Sequence, residues 1–149
     1  MSSSFAAHRA PRANIDPVAS AGAALAIVDL AMHHPPVDET VAVVLDGDRR
    51  GRTVVIVDGT TDPDAVLDVV EQLAGSIAAS GRTGCLVVAT VRPRGGPLDG
   101  DDGRWLEASE LADDVGVELL EWFVISGDRP STAARGWCPR DLLGEAPRW

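Results

Sequence analysis

The groups best suited to chemistry lie in one stretch, Cys85 to Gly103, where an apolar run enters a loop rich in Gly and Pro and then approaches a helix. Loops at strand ends are where a rigid scaffold presents functional groups. This loop holds two guanidinium groups, Arg92 and Arg94, and three carboxylates, Asp99, Asp101 and Asp102. A planar guanidinium fork binds a carboxylate or phosphate through paired hydrogen bonds, so Arg92 and Arg94 are candidates for an anion site. Pairing with an aspartate of the same chain is the simpler expectation. Carboxylates alone favour hard cations such as calcium or magnesium.

An EF-hand does not fit that spacing. Counting from Asp99, Glu110 falls at the twelfth position, but Gly103 and Arg104 occupy the fifth-ligand and glycine positions. Acidic residues just before a helix more simply complement its dipole. His33 and His34 are adjacent, and neighbouring side chains on a helix point about 100° apart, so the pair is poorly placed to share an ion. Glu118 and Glu121 lie three apart on an expected strand, which predicts opposite faces and no catalytic pair. Ser126, Ser131 and Cys138 have no general base nearby in sequence, and Arg49, Arg50 and Arg52 read as a solvated hairpin tip. All thirteen basic residues are Arg, which removes any lysine nucleophile.

The elements that must position these groups follow from spacing. Asp16-Pro17 has the chemistry of a helix start, and Val18, Ala21, Leu25, Val28 and Met32 mark one buried face before Pro35-Pro36. The runs Val41–Leu45 and Thr53–Val57 are dominated by β-branched residues around a turn-rich Asp46–Arg52 segment, which predicts an antiparallel hairpin. Asp62-Pro63 repeats the helix-start device ahead of Val66, Val69, Val70, Leu73 and Ile77, with a stop at Gly81. Gly84–Ala89 is apolar throughout, as expected of a central strand covered on both faces. A third helix is expected near Trp105 to Val115, then a strand from Val117 to Ile125 and a turn over Ser126–Pro130. Residues 1–15 read as a flexible tail, and residues 16–149 as one domain, with part of the Trp137–Trp149 segment packed.

Bulk composition narrows the function classes. At 149 residues the chain can bury roughly 70% of its unfolded surface and hold a core without staples. A formal charge of −10 argues against general nucleic-acid binding, which needs clustered positive charge. Two cysteines, Cys85 and Cys138, make neither a disulfide framework nor a metal-ligand pattern, as expected of a reducing cytoplasm. No apolar run has the length of a signal peptide core or a membrane span, so neither secretion nor insertion is expected.

The order α-β-β-α-β-α-β, with its local residues, resembles the RadC-like branch of the JAB/MPN (JAMM) metalloprotease superfamily. Val43-Val-Leu-Asp46 is similar to that family's strand ending in Leu-Asp, and Asp58-Gly-Thr60 to the Gly-Thr after its second strand. Leu86-Val-Val-Ala89 is similar to the strand that delivers the metal motif, and Gly116–Gly127 to the Gly-Ile-Pro-Val-Leu-Asp-His-Ile-Ile-Val-Gly stretch. The resemblance spans roughly residues 38 to 135. It implies a single three-layer α/β domain, JAB/MPN-like (cytidine deaminase-like), whose mixed sheet contains the antiparallel hairpin at residues 41–57 and carries helices on both faces.

Active members of the superfamily present His-x-His-Pro, then a Ser and an Asp about ten residues on, with a separate Glu earlier. On that pattern Thr90 and Arg92 occupy the histidine positions before a retained Pro93. Gly100 falls at the Ser and Gly103 at the Asp, with Asp101 or Asp102 as substitutes after a small shift, and Glu39 is the counterpart of the Glu. Catalytic zinc needs about three N, S or O ligands. Thr is a poor ligand and a permanent guanidinium cation repels the ion. The expectation is therefore a catalytically inactive domain with no metal or other cofactor, acting as an interaction module. It would bind a protein partner or a second copy through a strand edge or the N-terminal helix, and neither nucleic acid nor membrane. The alternative is a metal-dependent, isopeptidase-like hydrolase with rearranged ligands such as Asp101, Asp102 and His33 or His34.

Overall fold

The computed structural model describes residues 10–126 and 129–132. Its elements run α1 (Ala21–Ala31), β1 (Glu39–Asp46), β2 (Gly51–Asp58), α2 (Ala65–Ala79), β3 (Gly84–Val91), α3 (Asp101–Asp113), β4 (Glu118–Ser126) and β5 (Arg129–Thr132). The strands form one mixed sheet in the order β2-β1-β3-β4-β5. Strand β1 is antiparallel to both β2 and β3, β3 is parallel to β4, and β4 is antiparallel to β5. Helix α3 carries the crossover between the parallel neighbours β3 and β4, and α2 carries the one that takes the chain from β2 past β1 to β3. The expected α/β class, hairpin and two-sided helix cover are all present.

Strand pleating divides the apolar side chains between two cores. Val41, Val43 and Leu45 of β1, with Cys85, Val87, Ala89 and Val91 of β3, pack under Ala21, Ala24, Leu25 and Val28 of α1. Leu86 and Val88 face the other way, with Trp122 and Val124, against Val66, Val70 and Ala74 of α2 and Trp105, Ala108 and Ala112 of α3. Burial on both faces explains why β3 reads as a continuous apolar run.

Local signals place some boundaries differently from the sequence reading. Helix α1 starts at Ala21, and Ser20, not Asp16, caps it by accepting from the Ala23 amide at 3.1 Å. Asp16 instead accepts from the backbone and guanidinium of Arg12, while Pro17 bridges to Arg50 and the Val18 amide donates to the Arg49 carbonyl at 2.7 Å. The segment from Arg12 to Val18 therefore lies along the hairpin. Asp62 serves a turn, its Oδ1 accepting from the Asp64 amide, and α2 follows from Ala65. Helix α3 begins four residues before Trp105 and takes Asp101 and Asp102 into its first turn. Strand β5 occupies part of what composition reads as a turn. His8, Trp137, Cys138 and Trp149 lie outside the described residues.

One correction changes the surface chemistry. The β3–β4 register pairs Leu86 with Leu119 but Val87 with Glu121, so Leu120 is an extra residue and β4 carries a bulge. Glu118 pairs with Cys85 and Glu121 with Val87, which puts both glutamates on the α1 face. The opposite-face expectation fails because strict alternation stops at the bulge. Glu121 is 2% exposed and Glu118 is exposed, so they still form no cleft pair.

Two glycines test the packing in opposite directions. A Cβ on Gly84 would meet the Leu45 carbonyl oxygen at 2.9 Å and Ile77 Cγ2 at 3.1 Å, whereas one on Gly75, exposed within α2, meets nothing within 4 Å. Gly84→Ala should lower stability by roughly 1–3 kcal/mol through overpacking. Gly75→Ala should raise it by about 0.5–1 kcal/mol through helix propensity. Urea unfolding of the two variants beside the parent checks both signs.

Candidate functional site

The loop after β3 closes onto the first turn of α3. Arg92 follows Val91 with its amide still donating to the Ile125 carbonyl of β4 at 2.7 Å, which fixes where its side chain leaves the sheet. Its Nη1 donates to Asp101 Oδ2 at 2.8 Å and its Nη2 to Oδ1 at 3.2 Å, a two-pronged contact. Arg92 Nη1 also donates to the Gly96 carbonyl at 2.9 Å, drawing the loop around the guanidinium. The Leu98 amide reaches Asp101 Oδ2 at 2.8 Å, and Arg104 Nη1 reaches Oδ1 at 2.9 Å. Arg104 Nε then donates to Asp64 Oδ1 at 2.8 Å, so an alternating chain of charge runs Arg92, Asp101, Arg104, Asp64.

Burial makes the Arg92–Asp101 pair more than a surface contact, since the side chains are only 11% and 3% exposed. Desolvation acts to raise the Asp101 carboxyl, but hydrogen bonds from Arg92, the Leu98 amide and Arg104 outweigh it and hold the group below the usual carboxylate range. Asp64 and Asp101 together push the Arg104 guanidinium up.

The residues laid on the metal motif therefore have other employment. Thr90 Oγ1 accepts from the buried indole of Trp122 at 2.8 Å. Arg92 grips the Asp101 carboxylate that a metal would need. Gly100 has φ of +90° and starts α3 in the left-handed conformation glycine tolerates, while Gly103 lies within the helix. Pro93 follows the last residue to join the ladder, Asp102 is exposed in the first turn of α3, and Arg94 is exposed on the loop. This donor set does not fit zinc.

Glu39 is not brought to the loop. It opens β1 opposite Val91 and shares the α1 face with Val41, whereas Thr90 and Arg92 fall on the α3 face by pleat. Its carboxylate is fully buried, accepting from the His33 amide at 2.8 Å and contacting His33 Nδ1 at 2.7 Å. The hydrogen bond and charge of Glu39 push His33 up from its ordinary value. Asp58 lies across the hairpin from Glu39, and His33, Glu39 and Asp58 each offer a ligand atom within 4.8 Å of the others. Sequence reasoning missed this trio because its members come from the connection after α1 and from the facing ends of β1 and β2, which only the fold brings together. His34 turns away, Nε2 meeting the Asp29 carbonyl at 2.7 Å.

Other candidates resolve as structural. Burial pushes the Cys85 thiol up to about 11, which makes it a poor nucleophile at neutral pH. Ser126 Oγ donates to the Gly95 carbonyl and pins the loop to the end of β4. Arg50 is tied to the Ile15 carbonyl and to Asp48, as expected of a hairpin tip. A cleft of about 780 Å³ lies at the opposite end of the sheet, lined in part by Asp46, Arg52, Ile77, Arg82 and Thr83.

Comparison of the chain with protein-family models, curated proteins and solved structures finds no match.

Two measurements follow from the ion pairs. Arg92→Met should cost about 2–3 kcal/mol by leaving the buried Asp101 short of its two-pronged partner, and Arg92→Lys should recover little because an ammonium lacks the fork. Since folding depresses the Asp101 carboxyl, its contribution is full above the unfolded value of about 3.9 and is lost as pH falls through the folded one. Equilibrium unfolding should show the gap between the parent and Asp101→Asn closing on acidification below about pH 4. His33 has the opposite sign. Its contribution is full below about pH 6.5 and fades as pH rises through the raised folded value, which an NMR titration of its ring will locate.

Proposed function

We propose that this chain is a catalytically inactive relative of the RadC-like JAB/MPN domains that works as an interaction or self-association module. The observation that carries the reading is the buried Arg92–Asp101 pair. It puts a permanent cation and its counter-ion at the strand end and helix start where active relatives of that superfamily hold zinc. The sheet supports the assignment, because β1 is antiparallel to both neighbours and helices cover both faces, whereas an all-parallel doubly wound sheet would have opposed it. The separation of Glu39 from the loop supports the inactive state, since the counterpart of the water-activating Glu lies across the sheet from Arg92 and Asp101.

An interaction role is supported by what remains exposed. Val54, Ile56 and Val57 on β2 are 42%, 40% and 36% exposed, and no helix among the described residues is long and apolar enough to cross a membrane. Apolar groups left in water along one strand suit a protein surface.

A second reading, a metal-dependent hydrolase, is favoured by the His33, Glu39 and Asp58 trio. An imidazole with two carboxylates is a ligand set zinc accepts. Thermal unfolding of chelator-free protein with added zinc, manganese or EDTA, alongside hydrolysis of peptide and isopeptide substrates, separates the two. The module reading expects no chelator-sensitive hydrolysis. Hydrolysis abolished both by EDTA and by Glu39→Gln would overturn it in favour of the second reading.

A further inference from the structure

We propose that His33, Glu39 and Asp58 bind one divalent first-row transition ion, zinc by their donor types, which clamps the connection after α1 to the open end of the β1–β2 hairpin. The site stands apart from the loop after β3, and it does not depend on whether the chain hydrolyses anything.

The hairpin positions two of the three donors. The Gly59 amide donates to the Asp38 carbonyl at 2.8 Å, so those residues form a hydrogen-bonded pair. Such pairs alternate along an antiparallel ladder, which makes Glu39 and Asp58, one step inward, a non-hydrogen-bonded pair. In a pair of that kind the Cα atoms are only about 4.5 Å apart and the side chains lie close together. Both side chains leave on the α1 face, the face of Val41 and Val43. The chain just beyond Asp58 is held as well, since the hydroxyls of Thr40 and Thr60 share a hydrogen bond at 2.8 Å.

Two carboxylates placed this way call for a cation between them. Like charges directly opposite each other destabilise a ladder, and Glu39 is fully buried, where a carboxylate needs a compensating partner. His33 serves only one of the two. Its amide donates to Glu39 Oε2 at 2.8 Å and its Nδ1 lies 2.7 Å from Oε1. No hydrogen bond or ion pair joins the Asp58 carboxylate to another described residue.

The dimensions suit a small ion. Ligand atoms of all three residues lie within 4.8 Å of one another. Donors about 2.0–2.2 Å from a tetrahedral zinc are roughly 3.3 Å apart, so the Nδ1–Oε1 gap opens slightly and Asp58 draws in. His33 and Asp58 are both exposed and have room to make that adjustment. The ion takes the place of the proton on Nδ1, which leaves to solvent from an imidazolium or moves to Nε2 in a neutral ring. Oε2 keeps its bond to the His33 amide and holds the carboxylate in line. Three protein donors leave one position for water on the exposed side. Calcium takes six to eight oxygen ligands, which this trio does not supply, and the imidazole favours a transition ion.

Calorimetric titration of the chelator-treated, dialysed full chain with zinc, and separately with calcium, tests this. The parent is expected to take up one zinc per chain and to bind calcium far more weakly. His33→Gln and Asp58→Asn, at exposed positions, should each weaken zinc binding at least about tenfold, the loss that follows removal of even an outer contact to a metal site. His34→Gln should leave it unchanged, because that ring turns to Asp29. Circular dichroism confirms that each variant is folded. A parent that takes up no zinc, or zinc binding that survives both His33→Gln and Asp58→Asn, would overturn the site. Zinc bound without hydrolysis keeps both the site and the module reading. Zinc bound with hydrolysis that Glu39→Gln abolishes keeps the site and sinks the module reading.

Discussion

The arrangement of this domain depends on the burial of one carboxylate. Asp101 sits at the N-terminal turn of α3 with its side chain 3% exposed, and it is tolerable there only because Arg92, Arg104 and the Leu98 amide all reach it. A buried ion pair adds little stability over a well-packed apolar substitute, yet removing one member is costly because the other charge stays buried. Its effect is to fix geometry. Arg92 comes from the end of β3, Asp101 from the start of α3 and, through Arg104, Asp64 from the residue before α2. Three separate elements are held at one corner of the sheet by four alternating charges, and the Gly/Pro loop between them has its path set by the Gly96 carbonyl and the Leu98 amide.

The same pair decides the chemistry of that corner. A metal centre needs donors with free lone pairs directed at a common point, and a carboxylate already accepting from two guanidinium groups and an amide offers none. The guanidinium supplies positive charge at the position without an open coordination site, so it can hold the loop but cannot activate water. On the other side of the sheet, Glu39 meets the same need with His33. Each face buries one carboxylate near this end of the sheet, and each satisfies it from within the chain.

Much of this was legible in the sequence, and the reasons differ by element. The cores of β1, β2, β3 and β4 were readable because β-branched runs bounded by Gly and Asp have few other conformations to choose from. The buried faces of α1 and α2 were readable from spacing, but their first residues were not. Asp16-Pro17 and Asp62-Pro63 carry helix-start chemistry that the structure uses for turns and a bridge: Arg12, Arg49 and Arg50 engage the Asp16–Val18 segment, and Asp62 accepts from the Asp64 amide within its own turn. The bulge at Leu120 could not be read at all. A one-residue insertion leaves the apolar run of β4 unchanged while moving Glu121 to the other face. The Gly/Pro loop lies between β3 and α3 as the sequence indicates, and pairing of Arg92 with an aspartate of the same chain was the expected outcome. Which aspartate depended on α3 starting at Asp101, one turn earlier than the apolar pattern indicates.

The two edges of the sheet are unlike, and the contrast bears on how the domain meets other proteins. Strand β5 is four residues long and contains Pro130, which lacks the N–H that another strand would need. Strand β2 is eight residues long, β-branched through its middle, and free of Pro and Lys. Short length and Pro are common means of closing an edge, and here both fall on one side. A formal charge of −10 keeps copies apart at long range, so contact at β2 requires a local feature that outweighs the general repulsion. Arg52 is the one cation between the hairpin turn and Arg82, but it is the extra residue of a bulge in β2 and its guanidinium donates to Asn14 Oδ1 at 3.5 Å, so its charge is engaged within the chain.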